Sequence, residues 1–96
     1  DEIFIGNVLV NLKKMNIKID DKVIRINPQE KKVLEKMLES PGKVFSRSDI
    51  GEIINISKER TIDVMITRLR QKIEPNSKNP KYLQTIRGSG YVLWIE

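Results

Sequence analysis

Apolar residues in the first 26 positions recur at every second place. Val8, Val10 and Leu12 alternate with Leu9 and Asn11, Ile17 and Ile19 alternate with Lys18 and Asp20, and Ile24 and Ile26 flank Arg25. Polar or glycine-containing breaks fall at Gly6-Asn7, Lys13-Lys14 and Asp20-Asp21. Period-two spacing with regular breaks predicts a small antiparallel meander over residues 3–26. Nothing in this segment carries chemistry, and it reads as scaffold.

The period changes at Asn27, and residues 27–73 read as three helices. Asn27 can cap, Pro28 suits the first helical position, and Glu30 closes a capping box. Val33, Leu34, Met37 and Leu38 then form one apolar face. Ser40-Pro41-Gly42 ends the helix, because the residue before proline is pushed out of the α region. Ser46-Arg47-Ser48-Asp49 repeats the cap logic, and Ile50, Ile53 and Ile54 supply the second helix's buried side. Gly51 inside that helix costs about 1 kcal/mol relative to Ala, which points to close packing. Ser57 is the expected cap of the third helix.

At about 100° per residue, the third helix separates cleanly into faces. Ile62, Ile66, Leu69 and Ile73 form a narrow core stripe. Arg60, Val64, Thr67, Arg68 and Gln71 lie roughly opposite, Asp63 and Arg70 on one flank and Met65 on the other. The opposite face holds what a major-groove reader needs. Arg pairs with guanine, Gln with adenine, and Val or Thr touches a thymine methyl. The competing reading is a solvated amphipathic helix; an exposed Val64 among cations favours a contact surface. Residues 82–95 predict a last hairpin, Tyr82–Arg87 and Tyr91–Ile95, joined by Gly88-Ser89-Gly90. Without a bulge, Thr85 and Arg87 project from one side. A hydroxyl and a guanidinium there suit a phosphate and a narrow minor groove.

Charge strengthens this picture. The 96 residues carry a net charge of +5. Residues 1–42 hold eight basic and seven acidic groups, whereas residues 43–87 hold ten and five. The excess therefore sits with the third helix and the hairpin and favours a polyanionic partner. There is no Cys and no His, hence no thiolate metal site, no disulfide and no His-containing triad. No phosphate loop or paired-carboxylate motif is present, so the expectation is a non-enzyme with no cofactor and no metal. One domain over residues 1–96 is expected. No apolar run approaches the roughly 20 residues of a membrane span, and no signal peptide is visible. The first residue is Asp rather than Met, which reads as a fragment of a longer chain.

The whole chain resembles the C-terminal effector domain of OmpR/PhoB-type response regulators. The resemblance rests on Pro28-Gln29-Glu30, Pro41-Gly42-Lys43-Val44-Phe45-Ser46-Arg47, Arg60-Thr61-Ile62-Asp63-Val64, Arg68-Leu69-Arg70, Glu74-Pro75 and Thr85-Ile86-Arg87-Gly88-Ser89-Gly90-Tyr91, in order and near normal spacing. It implies an α+β fold, a winged helix-turn-helix with an N-terminal antiparallel sheet, three helices and a C-terminal β-hairpin wing. It implies a sequence-specific transcription regulator on double-stranded DNA, the output domain of a two-component system.

Roles follow position by position from the resemblance. Arg68 would be the main base reader, with Asp63 contacting a base or orienting that arginine, and Val64 and Thr67 beside them. Arg47, Arg60, Arg70, Thr85 and Tyr91 match phosphate-holding positions, and Arg87 the wing residue of the minor groove. Ile62, Ile66, Leu69, Phe45 and Trp94 are assigned to the core. Expected partners are double-stranded DNA, a second copy on DNA, and, as an option, RNA polymerase. The expected setting is cytoplasmic, with no membrane contact by this domain. The segment Asn55–Glu59 before the third helix is shorter than in many relatives. Two alternatives stand beside this reading: the output domain of a receiver-less or membrane-anchored activator, and a winged-helix module that docks an acidic protein.

Overall fold

The computed structural model describes residues 2–96. Four strands open the chain: β1 (Glu2–Ile5), β2 (Val8–Asn11), β3 (Asn16–Ile19) and β4 (Lys22–Arg25). They pair antiparallel in the order β1-β2-β3-β4. Val10 faces Ile17 and Ile17 faces Ile24 across the sheet. Ile5, Val8, Val10 and Ile17 are buried, whereas Phe4 and Val23 stand on the outer side. The alternation read from the sequence is therefore the alternation of the pleat.

Helix α1 (Pro28–Glu39) starts on the expected box. The Asn27 Oδ1 accepts from the Glu30 amide at 2.8 Å, and Glu30 Oε1 accepts from the Asn27 amide at 2.8 Å. Glu30 is also buried and meets Lys72 Nζ at 2.6 Å. A two-residue strand, β5 (Val44–Phe45), interrupts the predicted run of helices. It pairs with β7 (Gly90–Leu93), which also pairs with β6 (Leu83–Ile86), giving the order β5-β7-β6. Gly90 has φ +141° and lies hard against the Phe45 carbonyl, so no side chain fits where the wing crosses β5.

Helix α2 (Arg47–Ile54) carries the second capping box, Ser46 with Asp49. Its Gly51 has a packing reason: a Cβ there would collide with the Ile56 carbonyl oxygen. The chain turns back at once after α2 through Asn55 in the left-handed region (φ 58°). Helix α3 (Glu59–Ile73) then starts without a side-chain cap. The expectation that Ser57 caps it fails: the cap position is Lys58, and Ser57 stands one residue too early. Thr61 and Ile62 amides bond to the Lys58 carbonyl at 3.1 and 3.3 Å instead, and Glu59 complements the positive helix end.

Both sheets and all three helices contribute to one core, with Leu34, Met37, Ile50, Ile62, Ile66, Leu69, Ile73, Leu83 and Leu93 fully buried. Met65 joins them, because α3 is packed on a wider arc than a single stripe. Trp94 does not. It is 43% exposed, one position beyond β7, just past the buried run Tyr91–Leu93. Its ring lies over Gly42. Phe45 is buried as expected.

Candidate nucleic-acid interface

α2, α3 and the β6–β7 hairpin meet around one surface, and the packing of α3 decides what that surface shows. Because Ile62, Met65, Ile66, Leu69 and Ile73 face inward, Arg60, Thr61, Val64, Thr67, Arg68 and Gln71 face outward. Val64 is 40% exposed, an apolar patch between arginines. Thr67 donates its hydroxyl to the Asp63 carbonyl at 3.0 Å, which leaves its methyl and an acceptor for a partner. The hairpin turn comprises Arg87, Gly88 and Ser89, closed by the Ser89 amide on the Ile86 carbonyl at 2.9 Å. Strand alternation stops at Ile86, so Arg87 belongs to the turn and not to the face of Thr85.

The predicted cations divide into two groups. Arg60, Arg68 and Arg87 are exposed, and none of them makes an ion pair among the described residues. Arg47 and Arg70 are engaged. Arg70 donates through Nε to the Leu83 carbonyl at 2.8 Å and through Nη2 to Thr85 Oγ1 at 2.7 Å. Its guanidinium stands 5.5 Å from the centre of the Tyr91 ring. These contacts fasten the wing to α3. Thr85 accepts this bond and keeps its own hydroxyl proton.

Arg47, Asp63 and Tyr91 form a second cluster. Arg47 donates through Nε to Asp63 Oδ1 at 2.9 Å and through Nη2 to Oδ2 at 2.8 Å. The Tyr91 hydroxyl donates to Asp63 Oδ1 at 2.6 Å. Glu59 lies 3.8 Å from Arg47 Nη1. Partial burial pushes the Asp63 carboxyl up, but the bonds from Arg47 and Tyr91 outweigh it and hold the group below its ordinary range. Burial first, then the bond to Asp63, raises the Tyr91 hydroxyl. The bond to Asp63, then its charge, raises Arg47. The expectation had Asp63 contact a base or orient Arg68; its ion pair is with Arg47 instead.

Two carboxylates escaped sequence reasoning. Glu59 has only its place in the first turn of α3 as a signal. Glu74, just past α3, is buried and accepts from the amides of Lys81 (2.8 Å), Tyr82 (3.1 Å) and Leu83 (2.7 Å). It fixes where β6 begins, and thereby where the wing stands. Its partners lie seven to nine residues ahead, beyond any local spacing rule.

Comparison with known proteins places this geometry. A family model described as "Transcriptional regulatory protein, C terminal" matches residues 21–93. The alkaline phosphatase synthesis transcriptional regulatory protein SphR of Synechococcus elongatus is 39% identical over 85 residues, covering 84% of this chain and 33% of SphR. The response regulator DrrB, an OmpR/PhoB homologue of Thermotoga maritima, superposes with a TM-score of 0.84 at 26% identity, over 97% of this chain and 44% of DrrB. The AdeR response-regulator DNA-binding domain, solved in complex with an intercistronic region, superposes with a TM-score of 0.74 at 26% identity, over 95% of this chain and 97% of that domain. The chain thus spans about a third of SphR's length.

Proposed function

We propose a function from one premise: the chain belongs to the family of transcriptional regulatory protein C-terminal domains, the OmpR/PhoB type. The proposed function is sequence-specific binding of double-stranded DNA as the output domain of a two-component response regulator. The observation that carries it is the division of the cations. Among the described residues Arg68 and Arg60 on α3 and Arg87 on the wing make no ion pair, while Arg47 and Arg70 are partly engaged in holding those elements together.

In this reading α3 lies in the major groove, which is wide enough for one helix. Arg68 pairs with a base, and Val64 and the Thr67 methyl touch thymine. Arg60 takes a phosphate. Arg47 offers the N–H groups that Asp63 leaves free, Arg70 its Nη1, and Thr85 its hydroxyl proton. The Tyr91 hydroxyl reaches a phosphate only by leaving Asp63, because its one proton is already donated. Arg87 enters the neighbouring minor groove, whose negative potential is greatest where A·T runs narrow it. Phosphate contacts set register and base contacts specify.

One domain of this size covers one half-site. Useful affinity comes from a second copy bound alongside. We assign no polymerase contact to the α2–α3 connection, which is only residues 55–58. The setting is the cytoplasm, where the DNA is, and no described helix is long and apolar enough to cross a membrane. The domain is read as a binder without catalysis of its own.

The test is selection of bound duplexes from a random pool, read by sequencing. Enrichment of a short motif, with a flank richer in A·T on the wing side, supports the reading. A pool that stays random, together with capture of an acidic protein partner, refutes it.

A further inference from the structure

The polar side chains toward the N-terminal end of α3 form one connected cluster drawn from three separate parts of the chain. Asp63 sits at its centre. Its two carboxylate oxygens accept three hydrogen bonds: two from Arg47 of α2 and one from Tyr91 of β7. A carboxylate has about four lone-pair sites, so most of its capacity is spent. A base reader at this position needs those same sites, since the group Asp recognises in the major groove is the cytosine amine.

Charge leads to the same assignment. A bare carboxylate on a surface that faces phosphates is repelled by them. The bidentate guanidinium of Arg47 neutralises it in a geometry that also fixes the guanidinium plane. Of the five N–H groups of Arg47, two are used on Asp63, and Glu59 stands 3.8 Å from Nη1. Tyr91 adds rigidity from the other side. Its ring is buried, its backbone pairs with Phe45, and Arg70 stacks near its face.

We propose that Asp63 is a positioning residue of the interface: it reads no base, and its carboxylate holds Arg47 of α2 and Tyr91 of the wing strand at fixed positions beside the exposed face of α3. The proposal rests on the DNA-binding reading above and deepens it. It replaces the base contact expected of Asp63 with an internal one. Asp63→Asn keeps the size of the side chain and one acceptor for Tyr91. It loses the two-oxygen acceptance of Arg47, because the amide nitrogen faces the guanidinium with its own protons.

The test measures binding of the wild type, Asp63→Asn, Arg47→Ala and the double variant. The duplexes are the selected one, a scrambled one, and single-base-pair variants of the selected site. Asp63→Asn is expected to weaken selected and scrambled duplexes by the same factor, roughly three- to thirtyfold, with the double variant no weaker than Arg47→Ala alone. Base preference at every position is expected to stay unchanged. Relaxed preference at a single base pair makes Asp63 a reader and overturns the proposal. So do losses that multiply in the double variant, which is the behaviour of two residues that act independently of each other. The Arg47 Nη2–H signal in the NMR spectrum of the free protein is followed in parallel, and Asp63→Asn, which removes its Oδ2 acceptor, is expected to return it to fast exchange with water. A wild-type protein that binds no duplex, with that signal still protected, refutes the DNA reading and the proposal with it. A wild-type protein that binds while the signal is unprotected refutes the proposal alone.

Discussion

α3 carries an ion pair toward each end, and the two are built differently. At the C-terminal end Lys72 meets Glu30 of α1 at 2.6 Å, with the carboxylate 1% exposed and the ammonium stem 27%. Toward the N-terminal end Asp63 meets Arg47 of α2 at 2.8 Å, with side chains 36% and 47% exposed. The first pair is enclosed by the scaffold, where Glu30 also completes the cap of α1. The second lies on the surface that the free arginines share. A buried pair is costly to break because it strands a charge without water. An exposed pair contributes little to stability, since water replaces the lost partner. One end of α3 is therefore fixed for folding, and the other is left adjustable for contact. Variants at the two ends should separate stability from binding.

The largest effect belongs to the core that the two ends share. Leu69 is fully buried between them. Leu69→Ala should cost about 2–5 kcal/mol of unfolding free energy, enough to unfold much of so small a domain. Trp94→Ala should cost clearly less, since that ring is 43% exposed. Denaturant titration of both variants checks the order. Equal losses would return Trp94 to the core and undo the boundary drawn at β7.

The next effect isolates the scaffold end. Lys72→Met keeps the stem and removes the ammonium, so the Glu30 carboxylate keeps only the Asn27 amide among its partners. The expected loss is about 1–3 kcal/mol, the range for a buried polar group deprived of a partner. DNA affinity of the folded fraction should not move. A variant as stable as the wild type would show that water serves Glu30 as well as Lys72 does.

What could be read beforehand follows the same division. Local rules act over three or four residues, and they located the meander, both capping boxes and the core stripe of α3. The free arginines were legible too, because a helical angle alone puts Arg60 and Arg68 opposite Ile62 and Leu69. Two-residue β5 has no period to detect, and it exists because β7 offers Val92 and Tyr91 as partners. Ser57 looked like a cap because its type is right, but the tight exit from α2 moved the helix start past it. The Asp63 cluster joins positions 16 and 28 residues away, and Glu74 reaches forward to the start of β6. Such contacts are properties of the packed fold, and no spacing along the chain announces them.

At the contact end, Arg68 and Arg87 have separate effects. Arg68→Ala should weaken the selected duplex by about 1–3 kcal/mol, the worth of a bidentate base pair contact. A scrambled duplex should lose less. Arg87→Ala should keep the sequence read by α3, lose the A·T preference of the flank, and lower the slope of log affinity against log salt by about 1. Melting temperatures of both should stay near the wild type, because neither side chain is buried. A large drop in either melting temperature would move that arginine from the contact end to the scaffold.

The smallest effect tests whether the Asp63 pair really contributes so little to the fold. Its carboxyl is held below the ordinary range once burial is outweighed by the bonds from Arg47 and Tyr91. A carboxyl depressed in the folded state stabilises the fold above its unfolded pKa, about 3.9 for Asp. That contribution disappears as pH falls through the lower, folded value. Unfolding free energies of the wild type and Asp63→Asn, measured from pH 7 down to pH 2, should therefore converge only at the acid end. Both partners are more than a third exposed, so the gap at pH 7 should be about 0.5 kcal/mol or less after screening by solvent. A gap of several kcal/mol would make Asp63 a fold residue like Glu30, and the two ends of α3 would then be alike. A gap near zero at every pH, with DNA binding still impaired, would leave the pair with no task except holding Arg47 in place.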